Sequence, residues 1–270
     1  MHGDGDRRGL GSRPVSRRVL LAAGGAALVT GTVAAVTADG AGAPSRATAR
    51  LATSRSPRPR SGALSPPQRE QPRLPFGKAM DTIKDGPKVI ALTIDDGPSP
   101  VYTPQILKIL SQYRVTASFS MIGKSVAQFP AVAREVTAAG HMIVNHTWDH
   151  SDLGYLPAAR VHEEITRATD TIHAATGTRP SMFRAPYGAW STAVFRYCAQ
   201  AGLTPLDWSV DPRDWSRPGA GSIVHDILAD TRTGSIILEH DGGGDRSQTV
   251  AALKVWLPRL IAEGYQFTTP

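Results

Sequence analysis

The sequence predicts an α/β fold, an irregular (β/α) barrel of about seven parallel strands in a single domain, and three observations carry that expectation. After Phe76, short β-rich apolar runs alternate with segments of helical periodicity, the pattern of parallel strands joined by crossover helices. The alternation continues to the end of the chain with no internal repeat of the solenoid kind. Acidic, basic and imidazole residues gather just past the carboxyl ends of the first, third, fourth, fifth and sixth runs. A barrel builds its site from the ends of many strands, whereas a doubly wound open sheet, the alternative, concentrates its ligands near one switch point.

The seven runs are VIALTID (89–95), VTASFSMIG (115–123), HMIVNH (141–146), SMFRAP (181–186), TPLDWSV (204–210), SIILEHD (235–241) and YQFTT (265–269). After the first, Thr103 reads as a helix N-cap and Pro104 as the first helical residue, with Ile106, Leu107, Leu110 and Tyr113 on one face. Before the third, Pro130 to Ala139 repeats the arrangement, with Val132 and Val136 inward and Gly140 as the stop. After it, Val161, Ile165, Ala168 and Ile172 form an apolar stripe. Cys198, the only cysteine, lies in a helical pattern and reads as a small buried hydrophobe. A lone cysteine excludes an internal disulfide and a cysteine-built zinc site.

The N-terminal part reads differently. RPVSRRVLL (13–21) leads into an apolar stretch from Val19 to Val36, a basic region before an apolar one, which means export. Arg17 and Arg18 are similar to a twin-arginine signal, with a small-residue cleavage site after Ala38. An uncleaved anchor is the alternative, but the many Gly, Ala and Thr residues make a poor permanent span. From Asp39 to Pro75 the chain is Pro, Ser, Arg, Ala and Thr with almost no large apolar side chains, so it cannot offset ordering entropy and is expected to be a disordered linker. The division is therefore 1–38 signal, 39–75 linker and 76–270 folded domain.

Residues 1–75 carry 12 Arg and no Lys against 4 acidic residues, a net of +8, which leaves 18 basic and 19 acidic residues, a net of −1, in 76–270. The high pI is a property of the tether. A nucleic-acid groove on the folded part is excluded, while a basic tether suits an anionic cell surface.

The third run ends NHTWDH, placing His146 and His150 four apart, and the first ends on Asp95 and Asp96 before a Gly97-Pro98 turn. Two histidines and one carboxylate are a common set for a catalytic zinc. One of the two aspartates could be the third ligand and its neighbour could face the water. The fourth run ends FRAPYG, the fifth carries DWSVDPRDW and the sixth ends ILEHDGGG. Singly these read as a proline turn with a buried Tyr187 and a surface Arg184, a loop capped by Asp211 and Asp214, and a strand capped by His240. Their joint occurrence in this order has no such plain reading.

Taken together, TIDDGP, HTWDH, RAPYG, DPRDW and LEH resemble the five ordered motifs of the polysaccharide deacetylase family, carbohydrate esterase family four, with its chitooligosaccharide deacetylase homology domain. The resemblance runs from about Lys88 to Pro270. It implies that Asp96, His146 and His150 are metal ligands, with Zn2+ the expected ion and Co2+ the alternative. It makes Asp95 the general base held by Arg184, and His240 the general acid tuned by Asp214. The Tyr187 backbone N–H would face the developing oxyanion, and Leu238 with Trp215 would line a pocket for the acetyl methyl. The chemistry wants the same parts, because amide hydrolysis needs a base for water and an acid for the leaving nitrogen. No G-x-S-x-G is present, which disfavours a serine hydrolase of the nucleophile-elbow type.

The expected activity is metal-dependent removal of N-acetyl groups from an N-acetylglucosamine-containing polysaccharide or oligosaccharide, peptidoglycan or chitin oligomers, by a secreted or cell-wall-associated monomer with no stable membrane span after signal removal. An acetyl xylan O-deacetylase is the nearest alternative, and a carbohydrate-binding protein without turnover is the alternative of a different class. Asp149 and Asp241 read as supporting or loop groups, His141 lies at the wrong end of its strand, and His162, His173 and His225 fall on helix surfaces.

Overall fold

The computed structural model describes residues 77–270, so the expected signal and linker lie outside the described residues. Each of the seven runs contains a strand: β1 (Val89–Asp95), β2 (Ser118–Met121), β3 (Met142–Asn145), β4 (Met182–Phe183), β5 (Thr204–Pro205), β6 (Ile236–His240) and β7 (Gln266–Thr268). All pairings between them are parallel, in the order β5-β4-β3-β2-β1-β6. β1 is the hub. Its carboxyl half pairs with β2 (Thr93↔Ser118 to Asp95↔Ser120), its amino half with β7 (Val89↔Gln266 to Ala91↔Thr268), and its length with β6.

The sheet curls into the expected irregular barrel, and the gap between its ends is bridged by a single point of pairing. The fifth run, expected to be a strand over 204–210, leaves β4 after Leu206. At Val210 it meets β6, where Val210 N donates to Ile236 O (3.1 Å) and Leu238 N to Val210 O (2.9 Å). Pro205 has no N–H to give to a ladder, which keeps β5 short.

The crossover helices are α1 (Thr103–Tyr113), α2 (Gly123–Gln128), α3 (Pro130–Ala138), α4 (Ala158–Thr176), α5 (Thr192–Ala201), α6 (Ala220–Asp230) and α7 (Ser247–Ala262). Three expectations about them need correction. Thr103 is not the N-cap of α1, which is Tyr102; the Thr103 hydroxyl instead accepts from Ser99 N (2.7 Å) and donates to the buried Asp241 carboxylate. The inward face of α1 is Ile106, Ile109 and Leu110, and Tyr113 is exposed. In α3 the buried residues are Ala133 and Val136, with Val132 half-buried. The α4 stripe is as expected, with Val161, Ile165, Ala168 and Ile172 fully buried.

Strand alternation divides the core in two. Ile90, Leu92 and Ile94 of β1 face outward beneath the helices with Phe119, Trp256 and Leu257, while Ala91 faces the barrel interior with Val144, Met182, Leu206 and Ile236. Each fully buried aliphatic or aromatic side chain contributes about 1.5–3 kcal/mol. Cys198 is buried between α5 and its neighbours, and burial pushes its thiol up to about 12, consistent with an inert packing role. Among the described residues no helix is long and apolar enough to cross a membrane.

Candidate active site and metal centre

The inward positions of four strands end at one place. Ala91 and Thr93 lead to Asp95 on β1, Val144 to His146 on β3, Met182 to Arg184 on β4, and Ile236 and Leu238 to His240 on β6. In an extended strand Asp96 would point away from Asp95. It does not, because Asp96 adopts φ 75°, a left-handed conformation that turns its carboxylate back to the same site.

One group of side chains among the described residues has the composition and spacing of a metal site: one ligand atom each from Asp96, His146 and His150, all within 4.8 Å of one another. Asp96 Oδ1 lies 3.5 Å from His146 Nε2 and 3.2 Å from His150 Nε2. His146 Nδ1 is 2.9 Å from the Arg184 carbonyl, which can only accept, so this nitrogen donates and Nε2 is the ring atom that faces Asp96. His150 Nδ1 meets the Tyr187 hydroxyl at 3.1 Å. Burial works against ionisation of Asp96, but the two imidazoles and the charge of His240 outweigh it and hold its carboxyl well below the ordinary range. Asp96 Oδ1 is buried with no hydrogen-bond partner. A buried anionic oxygen facing two imidazole nitrogens calls for a cation between them, and an N2O donor set suits zinc.

Asp95 faces the centre from beneath, its Oδ2 3.8 Å from His146 Nε2. Its other oxygen accepts from Arg184 Nη1 at 2.8 Å. Arg184 is fully buried, and also donates to Thr93 Oγ1 (2.7 Å) and, through Nη2, to the Asp207 carbonyl (2.8 Å). Three anchored donor contacts leave the guanidinium no freedom, so Asp95 is presented in one orientation.

Across the site, His240 Nδ1 and Asp214 Oδ1 are 2.7 Å apart, and Asp214 Oδ2 accepts from His240 N (2.9 Å) and Thr249 Oγ1 (2.7 Å). Burial works against the imidazolium of His240. The hydrogen bond and charge of Asp214, with Asp96 and Asp95 behind it, override burial and push the pKa up to about 9. His240 is therefore a protonated group at neutral pH, with Nδ1 occupied and Nε2 free to give a proton.

Tyr187 is 70% exposed and left-handed (φ 60°), a tyrosine on the rim rather than in the core, while Arg184 is in the core rather than on the surface. Trp215 is 46% exposed and Leu238 is buried in the middle of β6. Asp211 Oδ1 accepts from Arg213 N (2.8 Å), a local turn contact. His141 is buried at the far end of β3, where its Nδ1 accepts from Ala117 N (3.2 Å); His162, His173 and His225 are exposed.

Four residues around the site had no specific role in the sequence reading, Asp241 among them, read there only as a supporting or loop group. Asp241 is fully buried, its N donates to Asp95 O (3.0 Å), and burial with the charges of Asp96 and Asp95, opposed by the Thr103 hydrogen bond, pushes it up to about 7. Arg246 is buried and ties two loops together, with Nε donating to Gly242 O (2.6 Å) and Nη1 to Trp215 O (3.2 Å). Gly242 lies so close beneath Asp96 that an added Cβ would run into the Asp96 carbonyl oxygen. Glu239 points outward from β6 to the Trp256 indole (3.0 Å), and burial, with the Asp214 charge, raises its pKa well above the usual value. Runs of Asp, Gly and Arg after a strand read as a polar loop, and only the fold shows which of them are buried.

Known proteins are similar to this chain. The polysaccharide deacetylase family model matches residues 82–206. The chain is 44% identical over 193 residues to a chitooligosaccharide deacetylase of Bradyrhizobium sp. (strain ANU 289), an alignment covering 67% of this chain and 88% of the relative. It is 41% identical over 197 residues to a peptidoglycan-N-acetylglucosamine deacetylase of Bacillus cereus, covering 72% of this chain and 92% of the relative. Among solved structures it resembles a carbohydrate esterase family four pseudoenzyme from Bacillus anthracis, with TM-score 0.66 and 25% identity over 70% of this chain and 66% of that one. The chain belongs to the polysaccharide deacetylase family.

Proposed function

We propose that the chain is an exported, zinc-dependent hydrolase that removes N-acetyl groups from N-acetylglucosamine residues of peptidoglycan or chitin oligomers and releases acetate. The names of the two relatives above support the substrate class, and the observation that carries the reaction is the flanking of one metal-type centre by a base and an acid. Asp96, His146 and His150 would hold the ion, which when bound supplies Lewis acidity toward a carbonyl and acidifies water. Asp95, oriented by Arg184, takes the proton of the attacking water. The Tyr187 backbone N–H receives the developing oxyanion. His240 Nε2 gives its proton to the departing nitrogen, which would otherwise leave as a very poor anionic leaving group, and Asp214 keeps that proton available. Leu238 and Trp215 bound the acetyl methyl.

One similar structure is of a pseudoenzyme, and a carbohydrate-binding protein without turnover is the second reading. The complete set Asp95, Asp96, His146, His150 and His240 favours turnover, because binding alone would need neither base nor acid. Residues 1–38 fit an export signal and 39–75 a tether, which would place a monomeric domain at the cell wall.

The test is incubation of the zinc-loaded chain with peptidoglycan, chitin oligomers and acetylated xylan, following acetate and new free amines. Acetate with equal new amine from the first two is expected. Acetate from xylan alone would replace the reading with the O-deacetylase, and no acetate from any substrate would leave the binding protein.

A further inference from the structure

The loop that carries both histidines is held in an unfavourable backbone shape. Thr147 and His150 both adopt left-handed φ values, 67° and 65°, and for a β-branched threonine that conformation is costly. Something must hold it, and the hydrogen bonds identify what. Thr147 N donates to Asn145 Oδ1 (2.8 Å) and His150 N to Thr147 Oγ1 (2.9 Å), both within the segment. The two remaining N–H groups, Trp148 N and Asp149 N, donate to a single oxygen outside it, Glu164 Oε2, at 3.1 and 3.2 Å.

Glu164 lies on α4, and its side chain is 2% exposed. Its other oxygen is 3.6 Å from Arg160 Nη2 one turn earlier. The same helix grips the loop twice more. Asn145 Nδ2 donates to Ile165 O and Thr169 Oγ1, each at 2.8 Å, and the Arg167 guanidinium lies 3.7 Å from the centre of the Trp148 ring. A buried glutamate on a helix that takes two consecutive backbone N–H groups between two ligand histidines acts on the spacing of those histidines.

We propose that Glu164 is a positioning residue of the metal centre: by receiving the Trp148 and Asp149 N–H groups it sets the turn that brings His150 back against His146 and Asp96. The idea rests on the metal-centre reading above and adds to it a residue from outside the five sequence motifs. Glu164 touches neither metal ligand side chains nor the reacting atoms; it works through the backbone. Its acceptor oxygen and its reach are what matter for the turn, while its other oxygen faces Arg160.

That distinction makes the proposal testable without turnover. The measurement is Zn2+ affinity by competition with a chromophoric chelator, on the full chain and on Glu164→Leu, Glu164→Asp and Glu164→Gln, each first verified as folded by its metal-free thermal melt. Leu removes the acceptor and should weaken zinc by about 10- to 100-fold, the range for supporting groups around metal ligands. Asp keeps the charge but draws the oxygens back by a methylene, and should also weaken zinc about tenfold. Gln loses the charge but keeps an acceptor oxygen at the same reach, and should stay within about threefold of the parent. The Asp and Gln pair decides the matter even if the Leu variant does not fold. Parent-like affinity in all folded variants, or loss in Gln with retention in Asp, would overturn the proposal while leaving the metal centre intact. A parent chain that binds no zinc would sink the metal reading and this proposal together.

Discussion

Two buried charge pairs stand on opposite sides of the site, and they differ in what can titrate. Arg184 and Asp95 are 0% and 3% exposed at their side chains, Asp214 and His240 0% and 11%. Both pairs occupy inward positions at strand ends or the loops above them. The guanidinium of Arg184 stays charged at any working pH, so its pair fixes a geometry. The imidazole of His240 can gain and lose a proton, so its pair stores one. In the proposed reaction, one side of the site would orient the group that accepts a proton, and the other would supply the group that gives one.

The comparison breaks most visibly at Arg184. Arg184→Met would leave Asp95 as a buried, uncompensated carboxylate and strip Thr93 and the Asp207 carbonyl of their donor; loss of one partner of a buried pair costs about 3–5 kcal/mol. Urea unfolding should register that loss, and a change below about 1 kcal/mol would mean that solvent or another cation replaces the guanidinium. On the other side, His240→Asn should remove the stored proton. Amide turnover should fall by about 10²- to 10⁴-fold, while turnover of an activated acetate ester, whose phenolate departs without a proton, should fall far less. Equal losses on both substrates would take His240 out of the acid role.

A smaller effect distinguishes the pairs by pH. The folded-state pKa of His240, about 9, lies above its ordinary value of 6.5. Its contribution to stability is thus fully present below about pH 6.5 and is lost as pH rises through about 9. In the metal-free chain, Asp214→Asn should flatten the decline of stability over that window. An unchanged slope would show that Asp214 does not set the imidazolium. The smallest effect is expected from removing residues 1–75, whose sequence carries none of the five motifs: zinc affinity and turnover of soluble oligomers should be unchanged, and a drop in either with the domain folded would assign this segment a part in the site.

What the sequence made legible follows from range and periodicity. The seven strands and the α4 stripe repeat at fixed spacing, and the five motifs hold Asp95, Asp96, His146, His150, Arg184, Asp214 and His240 within short segments at strand ends. Contacts set by burial at long range were not legible. Thr103 has the composition of an N-cap, yet its hydroxyl serves Asp241, 138 residues away. Glu164 has the composition of a solvated helix face, yet it is buried against the histidine loop. Val210 continues an apolar run, but which strand it pairs with depends on how the sheet curls, and the run has already left β4 after Leu206.

The central claim is that two adjacent, chemically identical aspartates do different work because one ends a strand and the next turns left-handed. The direct measurement is a zinc titration of Asp95→Asn and Asp96→Asn alongside their turnover of a chitin oligomer. Asp96→Asn should bind zinc weakly and recover part of its activity in excess metal. Asp95→Asn should bind zinc as the parent does, with kcat lower by about 10²- to 10⁴-fold and no rescue by metal. Loss of zinc by Asp95→Asn with retention by Asp96→Asn would reverse the two roles, and retention of both metal and activity by both variants would contradict the account.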